Sequence, residues 1–263
     1  MNNTPLVLKM GGRLLQDDSA LDALLSVCTE LKQQYPLVLV HGGGDQVDQW
    51  LAKFGFHTEK LDGQRVSPAE QMPVIAGALA GAVNAHMVAR ASLQALKPVG
   101  LTLSAGNSCR FELNTKLGAV GVAKPQDGTL LNGLLQDGFT PVFCSIGHGD
   151  QAQLLNVNAD LAAAAICQLV QGQLVLLTDV PGVKDASGQV MTQITPEEIR
   201  QMTADGVISG GMIPKTETAL MALEKGTRAV TILDGKVPNA CLLELFTDHG
   251  AGSQIRSTEP RIK

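Results

Sequence analysis

The chain has 263 residues, of which 44% are hydrophobic and 17% charged, with a formal net charge of −5. This composition suits a packed α/β protein, either one large domain or two lobes on one sheet, and excludes a disordered chain. Negative charge and an aromatic content of 3% argue against a nucleic-acid binder, which needs basic surface and stacking platforms.

The five cysteines, Cys28, Cys109, Cys144, Cys167 and Cys241, form no C-x-x-C or Cys/His cluster. They read as free thiols packed like small apolar residues. No basic-then-apolar leader opens the chain, and no apolar run reads as long enough to cross a bilayer. The pair Gly77 and Gly81 reads as a close helix contact. The expected location is the cytoplasm.

Leu6–Met10 reads as a buried strand that runs into Gly11-Gly12. From Asp17 to Gln34, apolar residues at Leu21, Leu24, Leu25, Cys28 and Leu31 keep a helical period. Pro36 ends that segment, and Leu37–Val40 is a second strand, running into Gly42-Gly43-Gly44. Both strands of this β–α–β unit end in glycines. In a parallel sheet, the carboxyl ends of the strands line the ligand crevice. Glycine there lets backbone approach a ligand, and the free N–H groups of the following helix face an anion.

Thr58–Val66 carries Asp62-Gly63, a two-residue hairpin signal, with Arg65 on the return strand. Ser67-Pro68-Ala69-Glu70 reads as a capping box opening a long helical region to about Leu96, with a break. Val99–Leu103 is a strand, and Ser108–Asn114 with Ala119–Ala123 is a smaller antiparallel element. Leu130–Gln136 is a short helix and Thr140–Ser145 a strand. After Asn156-Val157-Asn158-Ala159-Asp160 comes an alanine-rich helix to Val170, then a strand at Leu174–Leu177. Thr195-Pro196-Glu197-Glu198 is a second capping box, and a helix starting at Gly210-Gly211 reaches Lys225. Arg228–Ile232 reads as the last strand and Asn239–Leu245 as the last helix. Alternating strands and helices predict a mainly parallel sheet with helices on both faces.

Lys9 sits inside an apolar strand, where an ammonium needs an anionic partner. Beside a glycine loop, that partner could be a phosphate. Asn158 and Asp160 stand at a helix start, where such residues often cap. Walker A, dinucleotide, protein-kinase, nucleophile-elbow and zinc patterns are all absent. Of the histidines, only His41 adjoins a glycine loop.

Six motifs follow one another in order: K-x-G-G from Lys9, V-H-G-G-G from Val40, D-G-x-R-V from Asp62, N-V-N-A-D from Asn156, T-D-V-P-G-V from Thr178 and G-G-M-I-P-K from Gly210. In this the chain resembles the amino-acid kinase family, in particular its members that phosphorylate N-acetyl-L-glutamate in arginine biosynthesis. The resemblance implies an open, mainly parallel eight-stranded sheet sandwiched between helices. It implies one domain, with residues from about 1 to 170 binding the acyl amino acid and from about 171 to 263 binding ATP. By position, Lys9 and Lys215 would stabilise the transferring phosphoryl group and Asp160 would orient them. Gly43, Gly44, Arg65 and Asn156 would hold the acyl amino acid. Gly11, Gly12, Asp179, Val180, Pro181, Gly182, Val183, Lys184, Val207, Ile208 and Ser209 would bind the nucleotide. Ser67 stands where the family often has threonine.

The implied reaction uses ATP with Mg2+, the ion arriving on the phosphates and waters rather than in a protein cage. A γ-carboxylate nucleophile, with a reference pKa of about 4.3, is already ionised at neutral pH and needs no general base. Positioning and charge neutralisation then carry the chemistry. A kinase for a longer N-acyl-aminoadipate and a regulator that binds nucleotide or amino acid without turnover remain alternatives at this point. Arginine-inhibited relatives carry an extra helix before the first strand, whereas here a strand begins by Leu6. The resemblance therefore implies a homodimer without arginine feedback.

Overall fold

The computed structural model describes residues 4–61, 63–237, 239–246 and 250–256. Strand β1 is Leu6–Met10, helix α1 is Asp18–Lys32 and strand β2 is Leu37–His41. Asp17 caps α1 by accepting from the Ser19 and Ala20 amides. Helix α2, Gly44–Lys53, starts inside the glycine run. Strands β3, Glu59–Leu61, and β4, Gln64–Val66, form the expected hairpin; Asp62 of its turn lies outside the described residues.

A helical run then spans Ala69 to Leu93. It opens as a short 3-10 turn, continues as α3, Met72–Ala76, widens to a π-helix over Gly77–Val83, and ends as α4, Asn84–Leu93. The expected break is thus a change of winding rather than a gap. Contrary to the sequence reading, this run of 25 residues contains an 18-residue stretch of mean hydropathy 1.5, and so is long and apolar enough by length and composition to cross a membrane. No single apolar stretch announces it, because Asn84, His86 and Arg90 interrupt the pattern. In the fold, Arg90 pairs with Asp18 and Asp22 of α1. Of the two glycines read as a packing motif, Gly77 faces Trp50, while Gly81 faces open space.

Strand β5 is Pro98–Leu101, β6 is Cys109–Leu113 and β7 is Val120–Pro125. Helix α5, Thr129–Gln136, leads to β8, Thr140–Cys144, β9, Ile146–His148, and β10, Leu154–Val157. Helix α6 is Ala159–Val170 and strand β11 is Gln173–Thr178. The two-residue strand β12, Gln193–Ile194, precedes α7, Pro196–Ala204, whose capping box forms as expected. Helix α8 is Ile213–Glu224, β13 is Val230–Asp234, α9 is Ala240–Phe246 and β14 is Ser253–Ile255. β13 is therefore not the last strand. β14 adds antiparallel to it and carries β12 on its far side.

The main sheet has eight strands in the order β12-β14-β13-β11-β1-β2-β8-β5, parallel except between β13 and β14. A second sheet, β6-β7-β10-β9, contains the antiparallel pair read from the sequence. Side chains alternate across β1. Leu6, Leu8 and Met10 pack with Leu21, Leu25 and Leu31 of α1, while Val7 packs on the other face with the alanines of α6. That alternation aims Lys9 at the α6 face. Helix α6 is enclosed on several sides, and its successive Ala162, Ala163, Ala164 and Ala165 are all buried. Methyl side chains let its axis lie close to β1.

Candidate active site

Asp160 stands in the first turn of α6, whose N-cap is Asn158; the Asn158 side chain accepts from the Asp160 and Leu161 amides at 2.8 and 3.2 Å. Asn158 therefore caps, leaving the Asp160 carboxylate for other partners. Lys9 Nζ lies 2.9 Å from its Oδ1 and Lys215 Nζ lies 3.5 Å from its Oδ2. Lys9 arrives from a central strand and Lys215 from the first turn of α8, so three separate elements meet at one carboxylate. The Lys9 contact is an ion pair off the hydrogen-bonding direction, and Oδ1 keeps no directional donor. Burial alone would raise the Asp160 carboxyl. The two ammoniums outweigh burial and hold it below the usual carboxylate range. A Cβ on Gly11 would meet Lys9 Nζ at 2.8 Å, so a side chain there would push the Lys9 ammonium out of this cluster.

One cleft, of about 230 Å3, lies on the hairpin side of this cluster and is lined by Gly42–Gly44, Arg65, Leu79, Asn156 and Ala159 among others. Gly43 has φ +151, and a Cβ on it would meet Leu79 at 3.0 Å and Val83 at 3.2 Å, both from the π-helical stretch. Only glycine lets the loop lie against that stretch. Arg65 donates from Nη2 to the Gly44 carbonyl at 3.1 Å and from Nη1 to Asp48 Oδ1 at 2.5 Å. Asn156 Nδ2 donates to Ser67 Oγ at 3.0 Å. This corrects the reading of Ser67 as a helix cap. Its backbone is tied to Leu117 and Ala119 on either side, and its buried hydroxyl serves Asn156 instead. Gly43, Gly44, Arg65 and Asn156 thus line one cleft, as grouped in the sequence reading.

A larger cleft of about 600 Å3 lies on the other side, lined by Lys9, Gly11, Asp17, Asp45, Thr178, Asp179, Lys215 and Lys236 among others. The glycine loop after β1 and the residues after β11 and β13 all sit at carboxyl ends of parallel strands, the side on which such folds bind ligands. Gly12 opens a 3-10 turn next to Gly11. Of the segment Asp179–Lys184, Asp179 reaches this cleft; Val180, Pro181 and Lys184 are partly or fully exposed. Gly182 is buried, and the Val183 side chain is in the core with its amide given to Ser253 Oγ at 2.8 Å. Ile208 is likewise a core residue, Ser209 is exposed, and Val207 lines a separate hollow with Met191 and Met202. The structure therefore does not bring the side chains of Val183, Val207 and Ile208 into the larger cleft. Lys236 was missed by the sequence reading. Its place two residues beyond the end of β13 is the signal that could have found it.

His41 is buried beneath the glycine loop. Asn84 Nδ2 donates to His41 Nε2 at 2.9 Å and to the Val142 carbonyl at 3.0 Å. His41 therefore carries its proton on Nδ1 and gives it to the Gly42 carbonyl at 2.7 Å. Burial, opposed weakly by that bond, pushes its pKa down from 6.5 to about 4. Between those values the unfolded chain takes up a proton and the fold does not. The stability this contributes is complete above pH 6.5 and is lost as pH falls toward 4, by up to about 3 kcal/mol. Urea melts from pH 7 to 4 should show this loss, and His41→Gln should flatten it. Equal slopes in both proteins would clear His41 of the effect.

Among known proteins, the model of the amino acid kinase family matches residues 4–234. The acetylglutamate kinase of Colwellia psychrerythraea is 46% identical over 260 residues, covering 97% of this chain and 99% of that protein. The acetylglutamate kinase of Paracoccus denitrificans is 44% identical over 263 residues, covering 98% and 86%. The solved structure of N-acetylglutamate synthase from Neisseria gonorrhoeae, complexed with coenzyme A and N-acetyl-glutamate, matches with a TM-score of 0.82 at 25% identity. That match covers 98% of this chain, which spans 61% of the synthase chain. Carbamate kinase from Giardia, at 15% identity and a TM-score of 0.69 over 98% of this chain and 100% of the other, shares the fold.

Proposed function

The chain belongs to the amino acid kinase family, alongside the acetylglutamate kinases, and we propose that it phosphorylates the γ-carboxylate of N-acetyl-L-glutamate with ATP, giving N-acetyl-L-glutamyl 5-phosphate and ADP in arginine biosynthesis. The observation that carries this reading is the Lys9–Asp160–Lys215 cluster between two clefts, one with an arginine and a glycine loop, the other larger and with lysines. The acyl amino acid lies in the smaller cleft with its α-carboxylate on Arg65 and its backbone-like amide near Asn156. Its γ-carboxylate points toward the lysines. MgATP is the second substrate and occupies the larger cleft, its phosphates toward Lys9, Gly11 and Lys215, with Asp179 and the backbone of the 179–184 and 207–209 segments along the nucleotide. An Mg2+ that arrives on the ATP phosphates and their waters needs no protein cage.

The chain's own work is electrostatic. The attacking carboxylate is ionised without help, so Lys9 and Lys215 offset the charge that gathers on the moving phosphoryl group, and Asp160 keeps both ammoniums facing it. The two lobes of this reading share one sheet: β1, β2, β8 and β5 belong to the acyl-binding part, and β11, β13, β14 and β12 to the nucleotide part. A cytoplasmic location suits five cysteines that are all free. The reading extends to a homodimer, supported by the helical run Ala69–Leu93, whose most apolar 18-residue stretch is only 39% buried, beside the open edge strand β5. A coupled ADP-release assay with N-acetylglutamate, N-acetylaminoadipate and no acceptor tests the activity. ADP is expected with the first alone. Release only with the longer acceptor would move the substrate, and no release with any would overturn the enzyme. Sedimentation of the same preparation as a monomer would remove the dimer.

A further inference from the structure

Asp48 lies one turn beyond Gly44 on the same face of α2, and the phosphoryl chemistry does not use it. Three groups of the β3–β4 hairpin region converge on its carboxylate. Arg65 Nη1 donates to Oδ1 at 2.5 Å, Thr58 Oγ1 donates to the same oxygen at 2.7 Å, and Lys60 Nζ stands 3.7 Å from Oδ2. Arg65 Nη1 also donates to Thr58 Oγ1 at 3.0 Å, while Nη2 serves the Gly44 carbonyl. Nη1 is thereby committed to Asp48 and Thr58, and Nη2 gives one proton to the Gly44 carbonyl. The Arg65 side chain is only 10% exposed, so this arrangement is held rather than loose. What remains is Nε–H and the second Nη2 proton. Those two donors share one edge of the planar guanidinium and present the paired spacing that a carboxylate accepts.

We propose that Asp48 is a positioning residue, which takes up Nη1 of Arg65 so that the free Nε/Nη2 edge meets the substrate's α-carboxylate, and which ties the hairpin to the helix carrying the glycine loop. This rests on the reading of Arg65 as the carboxylate ligand. One carboxylate thereby couples the two walls of the smaller cleft, the loop at Gly44 and the strand at Arg65. A plain hairpin anchor would differ in a measurable way, because it would not act through Arg65.

The experiment uses Asp48→Asn, Arg65→Lys and the double variant of the whole chain. Asp48→Asn should raise KM for N-acetyl-L-glutamate roughly tenfold, one charge-assisted hydrogen bond's worth of geometry, with kcat and the KM for ATP within about twofold. In the Arg65→Lys background the same substitution should add less than about twofold, since its route is already gone. Side-chain 15N NMR of Arg65 reads the positioning without substrate. Distinct Nη1 and Nη2 signals in the unaltered protein should merge in Asp48→Asn as the guanidinium is freed to rotate. An unchanged KM, equal effects in both backgrounds, or signals that stay distinct would overturn the proposal. If the unaltered protein fails to phosphorylate N-acetylglutamate while the signals still merge, the substrate reading falls and the tether stands. If it turns over normally and Asp48→Asn leaves KM unchanged, the tether alone falls.

Discussion

Lys215→Ala should cut kcat by about 10²–10³-fold, the cost of removing one preorganised donor from a site where charge develops, while ATP binding falls far less. The structural reason is where Lys215 sits. Its ammonium enters from the first turn of α8, lines the larger cleft, and stands 3.5 Å from Asp160 Oδ2 with a side chain only 20% exposed. In the resting site its charge is already matched by Asp160. As phosphoryl transfer proceeds, negative charge builds beside it, and the contact strengthens in the transition state more than in the ground state. Loss of such a contact lowers kcat and kcat/KM together. Asp160 would keep Lys9 at 2.9 Å as its counter-ion, so the fold should survive. Steady-state kinetics with calorimetric titration of nucleotide binding decides the matter. Modest and equal changes in kcat and KM would make Lys215 a binding residue.

Arg65→Lys should keep the fold and ATP binding but raise KM for the acyl amino acid by roughly ten- to a hundredfold. That range corresponds to losing one charge-assisted hydrogen bond, about 1.5–3 kcal/mol, at 1.4 kcal/mol per decade. The guanidinium does three jobs that one ammonium cannot do together: it holds Asp48, it holds the Gly44 carbonyl, and it keeps a planar edge free. A lysine would settle against Asp48 as a point charge and leave the cleft. KM for each substrate is the readout. If KM for N-acetylglutamate does not move, Arg65 is a hairpin arginine and not a ligand.

How far the sequence carries depends on the length of the pattern. β1, β2, β8 and β11 are five- or six-residue, mainly apolar stretches, and each strand appears within a residue or two of its expected place. β9, β12 and β14 have two or three residues each, with Gly, His, Gln and Ser among them. Their conformation is imposed by the strands they pair with, so no local period announces them. Ser67 shows the same limit in one side chain. Ser-Pro-Ala-Glu reads locally as a cap, yet Asn156, 89 residues away in sequence, engages the hydroxyl. The meeting of Lys9, Asp160 and Lys215 has no periodic signature either, and the ordered family motifs are what pointed to it. Val183 and Ile208 mark the opposite case: motif position suggested a ligand contact, but their apolar side chains face the core.

Four successive alanines of helix α6, Ala162 to Ala165, are buried; at about 100° per residue they point all round the helix, so its height above β1 and its distance from its other neighbours are both set by small side chains. That height fixes how far the Asp160 carboxylate must reach to Lys9. A larger side chain among these alanines would lift the helix like a shim under one leg of a table, and the ammonium and carboxylate would part before the core gave way. Evolutionary drift at these positions, which touch no ligand, would therefore be felt first as lost chemistry in a chain that still folds.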